Sequence, residues 1–160
     1  MATIDFIKRI APIVQKYSEQ YGYKISSPII AQACLESSFG NSYKAQYHNY
    51  FGLKFRVNRC PSSCGTFIDK SKEQNINGSY RDIIDQWFAF KNMEDGVKGY
   101  FEFISIPNYN KLRKKDIINP KEYLEILREC KYMTSLSYIE KVLNIIDTYN
   151  LTQYDKKRRE

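Results

Sequence analysis

Apolar residues recur at helical spacing along most of the chain and lose that spacing in one central stretch. Phe6, Ile7, Ile10, Val14 and Tyr17 share one face of a first helix, which Pro12 is expected to split and Gly22 to close. Ile30, Ala31, Cys34 and Leu35 form a second stripe. Ser27 suits its N-cap, Pro28 its first turn and Gly40 the place just past its end, which predicts a helix over about 28–38. From Phe51 to Lys91 the helical pattern lapses. Asn77-Gly78 is a type I′ hairpin signal, and Trp87, Phe88, Ala89 and Phe90 suit a strand. Helical spacing returns at Val97, Tyr100, Phe101 and Ile104. Asn119-Pro120 reads as a cap and first-turn proline ahead of Tyr123, Ile126, Leu127 and Cys130, and Val142, Leu143, Ile146 and Tyr149 mark a last helix. The expected fold is α+β and mostly α, with a β-hairpin lobe over about 51–91. One domain is expected over 1–154, followed by a solvated charged tail, 155–160.

Composition sets limits on this reading. A chain of 160 residues that is 42% hydrophobic can bury one core. No stretch approaches the roughly 18–20 apolar residues of a membrane span. Met1-Ala2-Thr3-Ile4-Asp5-Phe6 lacks the basic and apolar regions of a signal peptide, so phage-type release or an excised domain is expected. The net charge of +7 favours anionic partners. Neither a basic recognition helix nor an RNA-binding signature is present, which ranks nucleic acid low among them.

The candidate chemistry begins at Glu36, in the last turn of the second predicted helix. The negative end of the helix dipole disfavours an ionised carboxyl there, and partial burial beside Phe39 would act the same way. A carboxyl that keeps its proton near neutral pH is a general acid. On physics alone, a glutamate at a helix end is more often merely solvated.

The surrounding residues change those odds. Ala31-Gln32-Ala33-Cys34-Leu35-Glu36-Ser37-Ser38-Phe39-Gly40 resembles the AQ-A-x-L-E-S-x-(aromatic)-G signature of bacterial and phage endo-β-N-acetylglucosaminidase domains, those of glycoside hydrolase family 73. Asn49-Tyr50-Phe51-Gly52-Leu53-Lys54 is similar to the family's N-x-F-G-I-K, and Lys72 to Gly78 to its T-E-Y-x-N-G hairpin. Phe88 to Val97 resembles F-R-x-Y-x-S-x-E-D-S-I, and Tyr132 to Tyr138 resembles Y-A-T-D-P-x-Y, with Ser135 and Leu136 departing from its Asp and Pro. Five blocks in order span nearly the whole chain.

The resemblance implies a lysozyme-like fold and a peptidoglycan hydrolase, of the kind found in autolysins and endolysins. Such an enzyme cuts the β-1,4 bond between N-acetylglucosamine and N-acetylmuramic acid, at the cell wall. It places Glu36 as general acid, Glu73 as the second carboxyl on the hairpin and Tyr132 as a phenol that orients substrate. Substrate contacts are expected from Gln32, Ser37, Phe39, Asn49, Phe51 and Tyr138, the last as groove wall or core. Glu73 also reads as part of a charged strand edge with Lys70, Lys72 and Arg81. If the two carboxyls lie far apart, water activated by Glu73 or the sugar's own acetamido group would have to attack. Expected partners are glycan strands and anionic wall polymers. A monomer without metal or cofactor is expected.

The cysteines leave alternatives open. Cys60 and Cys64 could form a small disulfide loop or bind zinc, but with one histidine in the chain a closed four-ligand site is not expected. Cys34 and Cys130 read as reduced core residues, and His48 as a polar groove or surface residue. Within enzymes the runner-up is a muramidase or lytic transglycosylase. Outside them it is a wall-binding module without turnover.

Overall fold

A computed structural model describes residues 2–114 and 116–155, the side chains of Glu73 and Lys114 excepted. Two helices open the chain, α1 (Thr3–Gln20) and α2 (Ser27–Glu36), followed by a 3-10 turn at Lys44–Tyr47. An antiparallel hairpin, β1 (Gly65–Gln74) and β2 (Tyr80–Ala89), comes next. Four helices complete the fold: α3 (Met93–Phe103), α4 (Asn110–Lys114), α5 (Pro120–Glu129) and α6 (Leu136–Thr148). A last 3-10 turn covers Leu151–Tyr154. This is the expected mostly helical α+β architecture.

The centre is α2. Every residue from Ser27 to Cys34 is buried, so the helix is enclosed rather than amphipathic. It packs against α6, α1, α5 and the last 3-10 turn. Its N-terminus is capped from far along the chain. Both Ser26 N–H and Ser27 N–H donate to Asp155 Oδ1 at 2.7 Å, and Ser27 Oγ donates to Asp155 Oδ2 at 2.7 Å. The N-cap is therefore Ser26 rather than Ser27, and its side chain makes no cap bond. Asp155, expected in a solvated tail, supplies the missing acceptor at the positive end of the helix. The rest of that tail, 156–160, lies outside the described residues.

Two local expectations are corrected. Pro12 does not split α1, which runs through it. Pro12 and Lys8, whose carbonyl loses its partner, are both exposed, so water can satisfy the freed oxygen. The hairpin turn is not type I′. Gly78 N–H bonds Asn75 O at 3.0 Å, and Gly78 alone among the turn residues takes a positive φ, 87°. This is a type I turn closed by a left-handed glycine, the longer hairpin solution.

The hairpin is anchored at its base. Trp87 and Phe67 are register partners, and the Phe67 ring stacks on Tyr47 of the first 3-10 turn at 4.1 Å. The segment 53–55 runs alongside β2: Phe88 N–H donates to Leu53 O at 3.1 Å and Phe55 N–H to Gln86 O at 2.9 Å. Beyond this base Ile68, Tyr80 and Ile84 are exposed.

Candidate active site

Two helix ends deliver the polar groups of the site by the same device. At the end of α2, Phe39 N–H bonds Cys34 O at 2.9 Å and Ser38 N–H bonds Leu35 O at 3.5 Å, with Ser38 left-handed at φ 49°. At the end of α5, Tyr132 N–H bonds Leu127 O at 3.1 Å and Lys131 N–H bonds Arg128 O at 2.9 Å, with Lys131 left-handed at φ 69°. Both are Schellman closures with a side chain where glycine is usual. Phe39 at φ 55° and Gly40 at φ 83° prolong the left-handed run after Glu36. Left-handed non-glycine residues cost on the order of 1–3 kcal/mol each and persist where the surroundings dictate them. Here Ser37 Oγ dictates them by donating to Ala33 O at 2.6 Å and accepting from Gly40 N–H at 2.9 Å.

Glu36 and Tyr132 thereby face one cavity of about 440 Å³, walled further by Phe51, Trp87 and Tyr138. A second hollow of about 360 Å³ is also bordered by Glu36 and Tyr138, together with Ser137 and Lys141. Burial raises the Glu36 pKa, opposed by a hydrogen bond from Tyr138 and by the positive charge of Lys44. Lys44 is fixed in turn. Its Nζ lies 4.2 Å from the Trp87 ring centroid and 3.1 Å from Asp69 Oδ2. Burial, with the charge of nearby Tyr138 and Glu36, holds the Tyr132 phenol protonated far above its ordinary range. The groove thus brings together a carboxyl that holds its proton more tightly than an exposed one and a neutral phenol hydroxyl that can donate or accept a hydrogen bond.

A family model described as mannosyl-glycoprotein endo-beta-N-acetylglucosaminidase, the glucosaminidase model, matches residues 11–151. The chain belongs to the glucosaminidase family. It is 30% identical over 156 residues to the exo-glucosaminidase LytG of Bacillus subtilis, covering 94% of this chain and 53% of that protein. The chain therefore spans about half the length of that relative. Among solved structures, it resembles the catalytic domain of the autolysin Auto from Listeria monocytogenes with a TM-score of 0.78 at 24% identity, covering 96% of this chain and 87% of that one. A peptidoglycan hydrolase from Sphingomonas sp. A1 gives a TM-score of 0.72 at 20% identity, covering 99% of each chain. These likenesses show the lysozyme-like fold expected for the glucosaminidase domain.

Of the residues expected in the glucosaminidase site, Glu36, Tyr132, Phe51 and Tyr138 line the cavity. Phe51 stacks on Tyr100 at 4.4 Å and forms wall rather than a polar contact. Tyr138 does more than wall the groove, because its hydroxyl opposes the rise in the Glu36 pKa. Four others turn inward. Gln32 is fully buried beneath Tyr138, and Ser37 is fully buried in the α2 closure. Phe39 packs edge-on against Tyr149 at 5.3 Å. Asn49 donates to Leu53 O at 3.0 Å and Phe88 O at 2.9 Å and accepts from Leu53 N–H at 2.9 Å, tying the loop to β2. Gln32, Ser37 and Asn49 support the site through buried bonds, Phe39 is half-buried, and none of the four is among the residues lining the cavity.

The backbone of Glu73 pairs with Arg81, while its side chain lies outside the described residues. It stands six residues beyond Phe67, about 20 Å further out at about 3.3 Å per residue. Sequence reasoning missed Lys44, Lys54, Phe103 and Met133, which also line the cavity, and the role of Trp87 there. Their one visible signal was Trp87, the single tryptophan of the chain. His48 bonds the Tyr50 hydroxyl at 2.9 Å. All four cysteines are free thiols, so Cys60 and Cys64 form no disulfide. No group of three or more metal-ligating side chains occurs among the described residues, nor a helix long and apolar enough to cross a membrane.

Proposed function

We propose that this glucosaminidase domain cleaves peptidoglycan glycan strands internally, at the β-1,4 bond between N-acetylglucosamine and N-acetylmuramic acid. The observation that carries the proposal is the position of Glu36, a half-buried carboxyl that borders two neighbouring hollows. A donor bordering two hollows suits a polymer that runs past it, and this favours endo over exo action. Glu36 protonates the leaving oxygen. Tyr132 orients the acetamido group, its hydroxyl oxygen accepting from the acetamido N–H as positive charge develops there.

The nucleophile in this proposal is the substrate's own acetamido oxygen. Glu36 is the one carboxyl among the described cavity-lining residues, and the nearby Asp69 and Asp85 are held by Lys44 and Lys54. The acetamido oxygen attacks C1 while the C1–O bond breaks and the leaving oxygen takes the Glu36 proton. Water then opens the oxazolinium ion, giving its proton to Glu36, and the anomeric configuration is retained. Glu73 as a base for direct attack by water would instead invert it. The net charge of +7 supports a further, salt-screened attraction to anionic wall polymers at the cell surface.

Mass spectrometry of fragments released from purified sacculi tests the reaction. Reducing N-acetylglucosamine ends on fragments of many lengths are expected. Reducing muramic ends, anhydro ends, monosaccharide alone or no product would each reject it. Proton NMR of the first-formed anomer separates the routes, with retention expected and inversion assigning the base to Glu73.

A further inference from the structure

Beneath the groove a line of buried polar groups leads away from the acid. The Tyr138 hydroxyl, on the cavity wall that also carries Glu36, is 3.3 Å from Gln32 Nε2. Gln32 Oε1 is 2.8 Å from the Tyr100 hydroxyl, and that hydroxyl is 2.7 Å from the hydroxyl of Tyr123. Gln32, Tyr100 and Tyr123 are all fully buried. Four elements contribute: α2 carries Gln32, α3 Tyr100, α5 Tyr123 and α6 Tyr138.

With the Gln32 amide oriented as it is here, the chemistry of the groups sets the direction of every bond. An amide oxygen can only accept, so Tyr100 spends its single proton on Gln32. Tyr123 must then donate to Tyr100. An amide nitrogen can only donate, so Tyr138 accepts from Gln32 and keeps its own proton for Glu36. Every donor points toward the carboxyl. We propose that Gln32, Tyr100 and Tyr123 are positioning residues for Glu36, acting as a one-way hydrogen-bond chain that steadies its carboxylate as the proton leaves.

Hydrogen bonds in such a chain polarise one another, and a low dielectric strengthens the effect. As Glu36 gives up its proton to the leaving group, each link tightens, so the chain favours the transition state over the resting acid. It is not a proton relay, because the Gln32 amide carries no proton it can release. It also offsets the burial that raises the Glu36 pKa. The other polar and charged groups that share a hollow with the carboxyl are Tyr132, Lys44 and Lys54 in the larger one and Ser135, Ser137 and Lys141 in the smaller. None of them belongs to the chain.

The proposal rests on Glu36 being the proton donor, and it can be tested without turnover. Tyr138→Phe, Tyr100→Phe and Tyr123→Phe each delete one donor and keep the ring. Carbon-13 NMR of labelled glutamate carboxyls follows the Glu36 titration directly, with Glu36→Gln identifying the signal. The apparent pKa should rise in all three, most in Tyr138→Phe and least in Tyr123→Phe. On sacculi, kcat should fall in the same order, with Tyr100→Phe lower by about two- to tenfold, the size of one net hydrogen bond, and KM unchanged. A merely structural role would lower the melting temperature and leave the titration in place. An unshifted Glu36 titration in folded Tyr100→Phe overturns the proposal, as does a shift in Tyr123→Phe that equals that of Tyr138→Phe. If Tyr100→Phe does not fold, Gln32→Met cuts the same links and is read by the same criterion. The titration holds its meaning even if the muropeptide products reject the proposed bond.

Discussion

Gly52 stands so close to Glu36 that a Cβ on it would lie 2.8 Å from Glu36 Oε2. Its φ of 65° is also left-handed, so two independent reasons fix glycine beside the acid. Gly52→Ala must displace the carboxyl. The expected outcome is a kcat lower on the order of 10²-fold, as for a comparable misplacement of a reacting group. The backbone adds a stability loss of about 1–2 kcal/mol. Steady-state rates on sacculi beside thermal melts check this, and a wild-type kcat in a folded variant would contradict it.

Glu36 should cost stability in a pH-dependent way. Burial leaves its folded pKa above the ordinary 4.5, so the folded state holds the proton more tightly than the unfolded chain. Wild-type stability therefore falls as pH rises from the unfolded pKa through the folded one, and stays lower above it. Glu36→Gln removes this loss. Urea unfolding should show the variant gaining on wild type between pH 4 and pH 8, and an equal difference at both pH values would contradict the burial argument.

Asp155→Ala should destabilise the domain although it lies far from the groove. It removes three bonds of 2.7 Å from the N-terminus of α2. A lost cap costs about 1–2 kcal/mol, and for a domain of this size Tm should fall by about 3–8 °C. Calorimetry decides: a Tm within one degree of wild type, roughly a quarter of a kcal/mol, would mean the cap is dispensable.

Tyr132→Phe and Tyr138→Phe should both lower kcat, for different reasons that the pH profile separates. Loss of the Tyr138 hydroxyl removes a bond that lowers the Glu36 pKa, so the alkaline limb moves to higher pH. Loss of the Tyr132 hydroxyl takes away a hydrogen-bond partner of the substrate's acetamido group and leaves that limb nearly in place. Profiles that shift equally in both variants would put both phenols on Glu36.

The helices and their order were legible because their apolar faces are local patterns. Glu36 was legible because helix end, neighbours and residue type agree within one segment. Gln32, Ser37 and Asn49 belong to the motif blocks yet carry buried structural bonds. A motif marks residues whose identity is fixed, and a buried bond such as Asn49 to Phe88 fixes identity as firmly as substrate does. Lys44 and Trp87 were missed because a 3-10 turn and a strand end meet Glu36 only in three dimensions. Asp155 was hidden by the charged run that follows it, and Pro12 misled because solvent satisfies the carbonyl it frees.

The central claim is that Glu36 delivers the proton that breaks the glycosidic bond, and Glu36→Gln tests it most directly. Gln keeps the shape and has no acidic proton. Reducing N-acetylglucosamine ends released from purified sacculi should appear about 10²–10⁴ times more slowly than with wild type, from a variant at least as stable at pH 8. Release within threefold of wild type would contradict the account.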